Sequence, residues 1–532
     1  MIYTLLKIFF FWISLPAILI FFKKRSSYIL LKKISKLRNS SIFRHFYKKL
    51  PLIIIAIAFS FYSYINISAF HSLNWFDRDF CSYSQILWKL SQGIKPFTTI
   101  FHLHFLGDHW SPILIPISLI YKILPSPLSI IILNLTIFFI GAYTLYLISN
   151  ILLKSRLLSL SILITIIFNP YTFQALNLYL NPDIYSFCLI SLAFYSLLKS
   201  NHKLYFLAYF LALNCKEDIS LYFVAIGIWI AFSLKKSKIG ITTTVFSILW
   251  LIFINKVAMP HFSTSTELFN YGSSYSKFGT SLYEIVKTCL THPNTVIPLI
   301  FSLKSITSII FTIFCYLPFF ILGFLDFLPV TLPIIVKVLS CKWEMAYFSK
   351  YHIWHPLFFI VFTSILGLAK AQKIITKKTK INIQNINIIL AITLISAVLF
   401  NILFISKNLI PYINTTYIPL SYNLSKERTS IKKEALSHIP KHANLFADTE
   451  FLSYSPNRNI IYEINPHHKK RYPEALDDVD YCIFDFKLLY RTPAIRKAKS
   501  IIWLHLNQKE NWEILYSKDG IEVYKRHKKD ET

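Results

Sequence analysis

Long apolar runs dominate the first 405 residues of the chain and alternate with short polar segments. A run of about 20 apolar residues can cross a bilayer as a helix. About twelve runs reach or approach that length, and the shortest would have to be buried in protein or line a cavity. These runs cover residues 3–22, 50–69, 127–152, 157–168, 184–198, 204–214, 219–234, 240–258, 306–322, 328–339, 356–368 and 386–405. The pattern predicts an all-α polytopic membrane protein.

The pattern changes in the C-terminal part, where apolar runs shorten and charged residues become frequent. The spacing predicts a helix over 426–437 and strands over 443–447, 460–464 and 481–486. Two further strands, at 512–516 and 521–524, flank Lys518-Asp519-Gly520, which is typical of a hairpin turn. We therefore expect a small α/β domain, placed outside the cytoplasm by helix parity.

The predicted organisation has three parts. Residues 1–49 form an extra N-terminal span and a basic cytoplasmic loop, and residues 50–407 form a multispan domain whose first outer loop is 70–126. Residues 408–532 form the C-terminal extracytoplasmic domain.

Composition supports a membrane protein. The chain is 54% hydrophobic and only 15% charged, whereas soluble domains carry about 25% charged residues. Its net charge of +30 would suit a nucleic-acid binder, but the basic residues lie between apolar runs rather than in a polar patch. We expect membrane lipid, and no nucleic acid, as a partner.

The basic residues also predict an orientation, because short basic loops stay in the cytoplasm. Residues 23–49 carry ten Lys and Arg and no acid. Alternation then places the basic loops at 154–156, 199–203, 235–238 and 370–380 on the same side. Of the ten acidic residues that precede residue 406, all but Asp326 fall on the outer side. We expect a site facing outward from a bacterial or archaeal plasma (inner) membrane.

Candidate chemistry lies in the first outer loop, where Asp77, Asp79 and Asp108 accompany several histidines. Carboxylates and imidazoles suit acid–base work and are the usual ligands of divalent metal ions. The spacing matches no specific metal motif, so the need for a divalent metal ion stays open. Trp75 and Trp88 suit either an aromatic belt or sugar stacking.

A second candidate is Lys216-Glu217-Asp218, which interrupts an apolar stretch. A charge at the centre of a span costs about 2.5–3.5 kcal/mol and marks a functional site. The alternative is a tight outer turn between two short helices, in which Lys216 pairs with Glu217 or Asp218.

Several of these blocks resemble a family of predicted membrane proteins known as domain of unknown function 2079. Asp79 lies six residues before Gln85-Ile86-Leu87-Trp88, and Leu106-Gly107-Asp108-His109-Trp110-Ser111-Pro112 follows. Lys216-Glu217-Asp218, Tyr275-Ser276-Lys277-Phe278-Gly279 and the segment from Tyr351 to Pro356 match later blocks, whereas Asn181 stands where the family tends to have His. The resemblance covers nearly the whole chain.

The family's layout is similar to the glycosyltransferase C superfamily, whose members use a lipid-phosphate-linked sugar and a catalytic Asp in the first outer loop. The resemblance implies an enzyme that moves a sugar from a polyprenyl-phosphate donor to an acceptor at the outer face of the cell envelope. The implied catalytic residues are Asp79, Asp108 and His109. The implied substrate-binding residues are Arg78, Gln85, Trp88, Lys216, Glu217, Asp218 and Lys277.

A transporter or flippase for a lipid-linked or small polar substrate is the alternative, since charges within a membrane also mark transport pathways. The acids gather at one face, and no second interrupted pair matches 216–218, as an inverted repeat would require. Both points favour an outward-facing enzyme.

Overall fold

A computed structural model describes Phe11 and residues 41–73, 77–178, 181–263, 274–379, 381–405, 426–464, 472–487, 493–508 and 511–527. Several predicted features lie outside these residues: nearly all of the first span, most of the basic segment 23–49, Trp75, and the outer acid Glu267.

Helices make up most of the described chain, and the eleven predicted spans within it all coincide with helices. The α-helices of the membrane part are Ser41–His71, Arg78–Ser91, Phe105–Asp108, Leu114–Ile123, Pro127–Leu153, Arg156–Phe168, Pro170–Leu178, Asp183–Leu198, His202–Leu213, Asp218–Ser233, Ser237–Phe253, Met259–Phe262, Leu282–Thr291, Pro293–Ile300, Leu303–Ile313, Leu317–Gly323, Thr331–Val338, Trp343–Ala346, Trp354–Lys378 and Ile383–Phe400. Short 3₁₀ turns at Phe314–Tyr316, Phe324–Asp326, Leu328–Val330 and Lys350–Ile353, and π-turns at Ile254–Ala258 and Asn401–Ile405, join some of them.

Six helices within the described residues are long and apolar enough to cross a membrane. The count is seven if Arg156–Phe168 and Pro170–Asn177, which meet at a 48° bend, form one span. Five further apolar helices are shorter. The helical multispan class is thereby confirmed, while the full set of about twelve spans stays a prediction.

Close helix contacts build the core of the membrane part. Helix Leu317–Gly323 crosses helix Trp354–Lys378 where Gly323 and Gly367 face each other. A Cβ atom on Gly367 would collide with the carbonyl oxygen of Phe319. Glycine at such crossings lets two backbones approach, which is how membrane helices gain packing energy.

Acidic and basic residues separate towards opposite ends of this helical part. Helix Asp218–Ser233 starts at the acidic turn and ends beside the basic loop 235–238, about 24 Å away at 1.5 Å per residue. Trp229, near its far end, donates to the carbonyl oxygen of Asp326 (2.7 Å). Asp326 in turn pairs with Lys370 (2.7 Å). The one acid predicted on the inner side thus lies among the basic loops.

Five strands form the C-terminal sheet: β3 Leu445–Ala447, β4 Ile461–Glu463, β5 Tyr481–Asp485, β6 Trp512–Lys518 and β7 Ile521–Arg526. Their order is β4-β3-β5-β7-β6, with β4, β3 and β5 parallel and the others antiparallel. β1 (Phe97–Thr98) and β2 (Leu103–His104) pair separately in the first outer loop. Helices Lys426–Ser437, Thr449–Tyr454, Tyr472–Asp477 and Pro493–Gln508 accompany the sheet.

The predicted helix 426–437 and the predicted hairpin are confirmed. Asp519 and Gly520 both have positive φ (50° and 77°), as a tight turn between β6 and β7 requires. An α/β domain therefore follows the membrane part.

This domain packs directly on the first outer loop. Cys81 and Ile100 lie in one buried cluster with Leu445, Phe451 and other residues of the domain. The hydroxyl of Thr99 donates to the carbonyl oxygen of Ile461 (2.7 Å) and accepts from its N–H (2.9 Å). The C-terminal domain and the first outer loop therefore lie on the same side of the membrane part.

Candidate functional site

Asp79 is held at the start of helix Arg78–Ser91. The side chain of Asp77 caps this helix by accepting from the backbone N–H of Asp79 (3.1 Å). Asp79 is half-buried, and its carboxylate is hydrogen-bonded to Tyr351 and faces Lys350. Burial raises the pKa of Asp79, and Asp108 adds to this, although Lys350 and Tyr351 oppose the shift. A carboxylate with a raised pKa suits a general base.

The Leu-Gly-Asp-His block places Asp108 and His109 against the turn at 214–217. Ile113 donates its N–H to the carbonyl oxygen of Asn214 (3.0 Å), and Ser111 donates its hydroxyl to that of Cys215 (2.9 Å). A Cβ atom on Gly107 would approach the carbonyl oxygen of Phe262 to 2.8 Å. Glycine at this position therefore allows the block to lie against the end of helix Met259–Phe262.

Glu217 joins the loop to the turn through its carboxylate. One oxygen lies 2.9 Å from Nδ1 of His109, and the other accepts the N–H of Trp110 (2.9 Å). Only 2% of the Glu217 side chain is exposed. Burial disfavours the charged imidazole, but Glu217 and Asp108 outweigh it and raise the pKa of His109 to about 9. At neutral pH this is an ion pair.

A second set of charges runs through Lys216 into the helices. Its ammonium donates to Asp183 (3.0 Å), not to a neighbour within the turn. The same Asp183 oxygen lies 3.8 Å from Nε2 of His355, whose Nδ1 is 3.4 Å from Asp218. The hydroxyl of Tyr222 also donates to Asp218 (3.0 Å). Burial disfavours the charged Lys216, but Asp183, Asp218 and Glu217 raise its pKa, so its charge is retained.

Six of the ten sequence-predicted site residues thus gather at the acid-rich end: Asp79, Asp108, His109, Lys216, Glu217 and Asp218. They come from the first outer loop and from the turn at 216–218. Electrostatic contacts link the two groups, since Tyr83 interacts with Asp79, Asp108, Lys216 and Asp183. We treat these residues as one candidate site.

Three other predicted residues face the C-terminal domain instead. Arg78 pairs with Glu463 (2.8 Å) and lies 4.6 Å from the ring centroid of Phe101. The amide of Gln85 is buried and bonds to Thr99 and to two backbone carbonyls, those of Arg458 and Asn459. The ring of Trp88 stacks on His442.

These contacts place Arg78, Gln85 and Trp88 between the first outer loop and the C-terminal domain, although Arg78 also interacts with Asp79. Lys277 is exposed at the surface. The substrate-binding roles of these four residues stay predictions.

Sequence reasoning missed four residues of the site: Asp183, Lys350, Tyr351 and His355. Two features of the sequence point to three of these residues. Asp183 is one of the few outer acids, and Tyr351 and His355 lie in a polar segment at the entry of a late span. Lys337 is a further charge, buried within an apolar helix, that interacts with Asp218 and Asp183.

No group of three or more His, Cys, Asp or Glu side chains among the described residues is arranged to hold a metal ion. The carboxylates of the site face lysines, histidines and tyrosines instead. We therefore derive no step through a metal.

Comparison with known proteins identifies a family and structural likenesses. A model of the family described as predicted membrane protein, domain of unknown function 2079, matches residues 69–523. Among solved structures, the chain is similar to the crystal structure of ArnT from Cupriavidus metallidurans bound to undecaprenyl phosphate. Identity is 10% and the TM-score 0.47, over 89% of this chain and 97% of that one. None of the curated proteins compared matches the chain.

Proposed function

The chain belongs to the family of predicted membrane proteins with domain of unknown function 2079, and we propose that it is a membrane glycosyltransferase. It transfers a sugar from a polyprenyl-phosphate-linked donor to an acceptor on the outer face of the membrane. The observation that carries the proposal is the position of Asp79: a half-buried carboxylate with a raised pKa that faces the ammonium of Lys350 and the hydroxyl of Tyr351.

Asp79 is the general base of this reaction. The acceptor hydroxyl gives its proton to the Asp79 carboxylate, and the acceptor oxygen attacks the anomeric carbon of the donor sugar. The bond between that carbon and the phosphate oxygen breaks, and the polyprenyl phosphate leaves with the bonding electrons. A positioned base contributes about 10²–10⁴-fold to such a step.

The leaving phosphate gains negative charge, so the reaction needs fixed cations nearby. Lys350 and Lys216 are the candidates, since both belong to the same site as Asp79. The ammonium of Lys216 lies 5.8 Å from the ring centroid of Tyr351. Tyr351 directly follows Lys350 in the chain, so both lysines lie beside the same tyrosine. Asp108, Glu217 and Asp218 orient these cations and His109.

The site's place at the acid-rich end of the helices supports an outward-facing reaction. Basic loops at the opposite end favour the cytoplasm, so the end that holds Asp79 is the outer one. Since the C-terminal domain packs beside Asp79 on helix Arg78–Ser91, we propose that it is extracytoplasmic too. The membrane is a bacterial or archaeal plasma membrane in this proposal.

One observation favours the alternative, a transporter or flippase. Helices Arg156–Phe168 and Pro170–Asn177 meet at a 48° bend, and broken helices are frequent in transporters. The enzyme remains the better proposal because the bend carries no charged residue, while the charges lie at one end of the helices.

Lipid and glycan profiling of a strain that lacks this protein tests the two functions. The transferase proposal expects the lipid-linked sugar to accumulate and its acceptor to lose that sugar, both restored by the intact gene. An unchanged glycan profile together with loss of uptake or export of a substrate would contradict the transferase and support the transporter.

A further inference from the structure

Two short helices between the membrane spans lie at the surface with little of their side-chain area covered. Helix Leu282–Thr291 has no buried residue, and helix Pro293–Ile300 has one, Val296. They connect the candidate spans Ser237–Phe262 and Leu303–Asp326. Four of their apolar side chains, those of Tyr283, Val286, Leu290 and Ile297, are exposed, and the site chemistry uses none of them.

The first of these helices has three different faces, as successive residues turn by about 100°. Ile285 and Cys289 pack on the protein, in the same cluster as Tyr275. Tyr283 and Leu290 lie on a second face and are exposed by 70% and 76%. Val286 belongs to this second face and is also exposed.

The third face is polar and exposed. It carries Glu284, Lys287 and Thr291, which are all exposed. This helix therefore has one face against protein, one polar face suited to water, and one exposed apolar face, the apolar stripe, that suits lipid. Amphipathic helices of this kind lie in the plane of a membrane interface.

Exposed apolar residues also follow this helix along the chain, up to the next candidate span. Ile297 and Phe301 follow the first helix and are exposed by about half or more of their surface, and Leu303 and Ile306 then begin the span. Exposed apolar residues therefore recur from Tyr283 to the start of a helix that is long and apolar enough to cross the membrane.

The depth of the pair agrees with an interfacial position. Tyr275 lies just before the first helix, donates to the carbonyl oxygen of Val336 (2.8 Å), and interacts with Asp218 and Lys216 of the site. The pair is thus at the acid-rich end of the helices, not at their middle. Lys287, whose ammonium lies 6.0 Å from the Tyr283 ring, stands at the border of the apolar and polar faces, where lipid head groups would be.

We propose that the apolar stripe Tyr283, Val286 and Leu290 is seated in the interfacial layer of the lipid bilayer, so that the segment 282–300 is a membrane-surface anchor beside the charged site. The partner is the lipid surface itself, with the acyl chains against the stripe and the head groups against Lys287. This proposal does not depend on the sugar-transfer reaction.

Fluorescence quenching of the full chain in lipid nanodiscs tests the proposal. Leu290→Cys and the matched neighbour Thr291→Cys are each labelled with an environment-sensitive fluorophore, in a background where Cys289 and Cys341 are serine. The remaining described cysteines are buried. Val286→Cys is a second reporter on the stripe, in case the Leu290 variant folds poorly.

The probe at Leu290 should lose roughly half or more of its fluorescence when nitroxide is placed high on the lipid acyl chain. Soluble iodide should quench that probe weakly. The probe at Thr291 should show the opposite pattern. Equal quenching of the probes at 290 and 291 would overturn the proposal. Weak quenching of the probes at 286 and 290 by both lipid nitroxide and iodide would also overturn it, because protein would then cover the stripe.

Discussion

The ion pair between His109 and Glu217 should stabilise the folded position of the first outer loop. The substitution Glu217→Gln tests this expectation. Glutamine keeps an oxygen that can accept the Trp110 N–H but loses the charge that faces His109. The pKa of His109 rises from an ordinary 6.5 to about 9. At 1.36 kcal/mol for each pKa unit, the favourable interactions of the charged form amount to about 3 kcal/mol, part of it from Asp108. Breaking a fully buried pair costs about 3–5 kcal/mol, and 29% of the His109 side chain is exposed, so we expect a loss near the lower end of this range.

The sign of the pH dependence follows from the raised pKa. The stabilisation from the His109–Glu217 pair is fully present below pH 6.5. It is lost as the pH rises through about 9, where the imidazole of the folded protein loses its proton. Thermal unfolding in detergent should therefore show a large loss of stability for Glu217→Gln at a pH below 6.5 and a much smaller one above 9.

Glu434→Gln is the matched control for this measurement. Its carboxylate also lies near a cation, Lys518 (3.5 Å), but both side chains are about half exposed. Exposed pairs contribute about 0–1 kcal/mol, so this variant should unfold almost like the parent. A loss of stability for Glu217→Gln that is equally small, or that does not depend on pH, would show that the pair with His109 does not stabilise the fold.

Three further predictions follow from the site and the fold. Transfer activity should rise with pH as Asp79 loses its proton, and should fall near pH 9, where His109 loses its proton and its ion pair with Glu217 no longer holds the first outer loop; a rate that does not change between acidic pH and a pH above 9 would contradict both expectations. In a background without the exposed native cysteine, Gln92→Cys should react with an impermeant reagent from outside intact cells and Lys377→Cys should not; the reverse result would invert the topology. Gly367→Ala should destabilise the protein by about 1–3 kcal/mol in thermal unfolding, because the new methyl group meets the facing helix, and an unchanged midpoint would show that the crossing can relax.

Much of the fold can be predicted from the sequence because it depends on local patterns. Apolar runs mark the helices of the membrane part, and helix Lys426–Ser437 has the bounds that its pattern predicts. The hairpin at Lys518–Gly520 follows from turn chemistry. Helix Pro493–Gln508 was not predicted, since its apolar residues are mixed with several charges.

The site could be predicted only in part, and the reason is distance along the chain. The turn at 216–218 stands out because charges within apolar sequence are costly, and Asp79 and Asp108 stand out as acids near histidines in the first outer loop. Their partners do not stand out, because Lys216 meets Asp183 and Asp79 meets Tyr351 only after folding. Spacing likewise gives no sign that Gln85 would bond to carbonyl groups more than 370 residues away.

Transfer by Asp79→Asn in reconstituted membranes, with a labelled polyprenyl-phosphate sugar, tests whether Asp79 is the base of an outward-facing sugar transferase. We expect a loss of at least about 100-fold in rate, with donor binding and folding retained. Asp326→Asn, at the opposite end of the helices beside Lys370, should keep its activity. Full activity of a correctly folded Asp79→Asn protein would show that Asp79 is not the base.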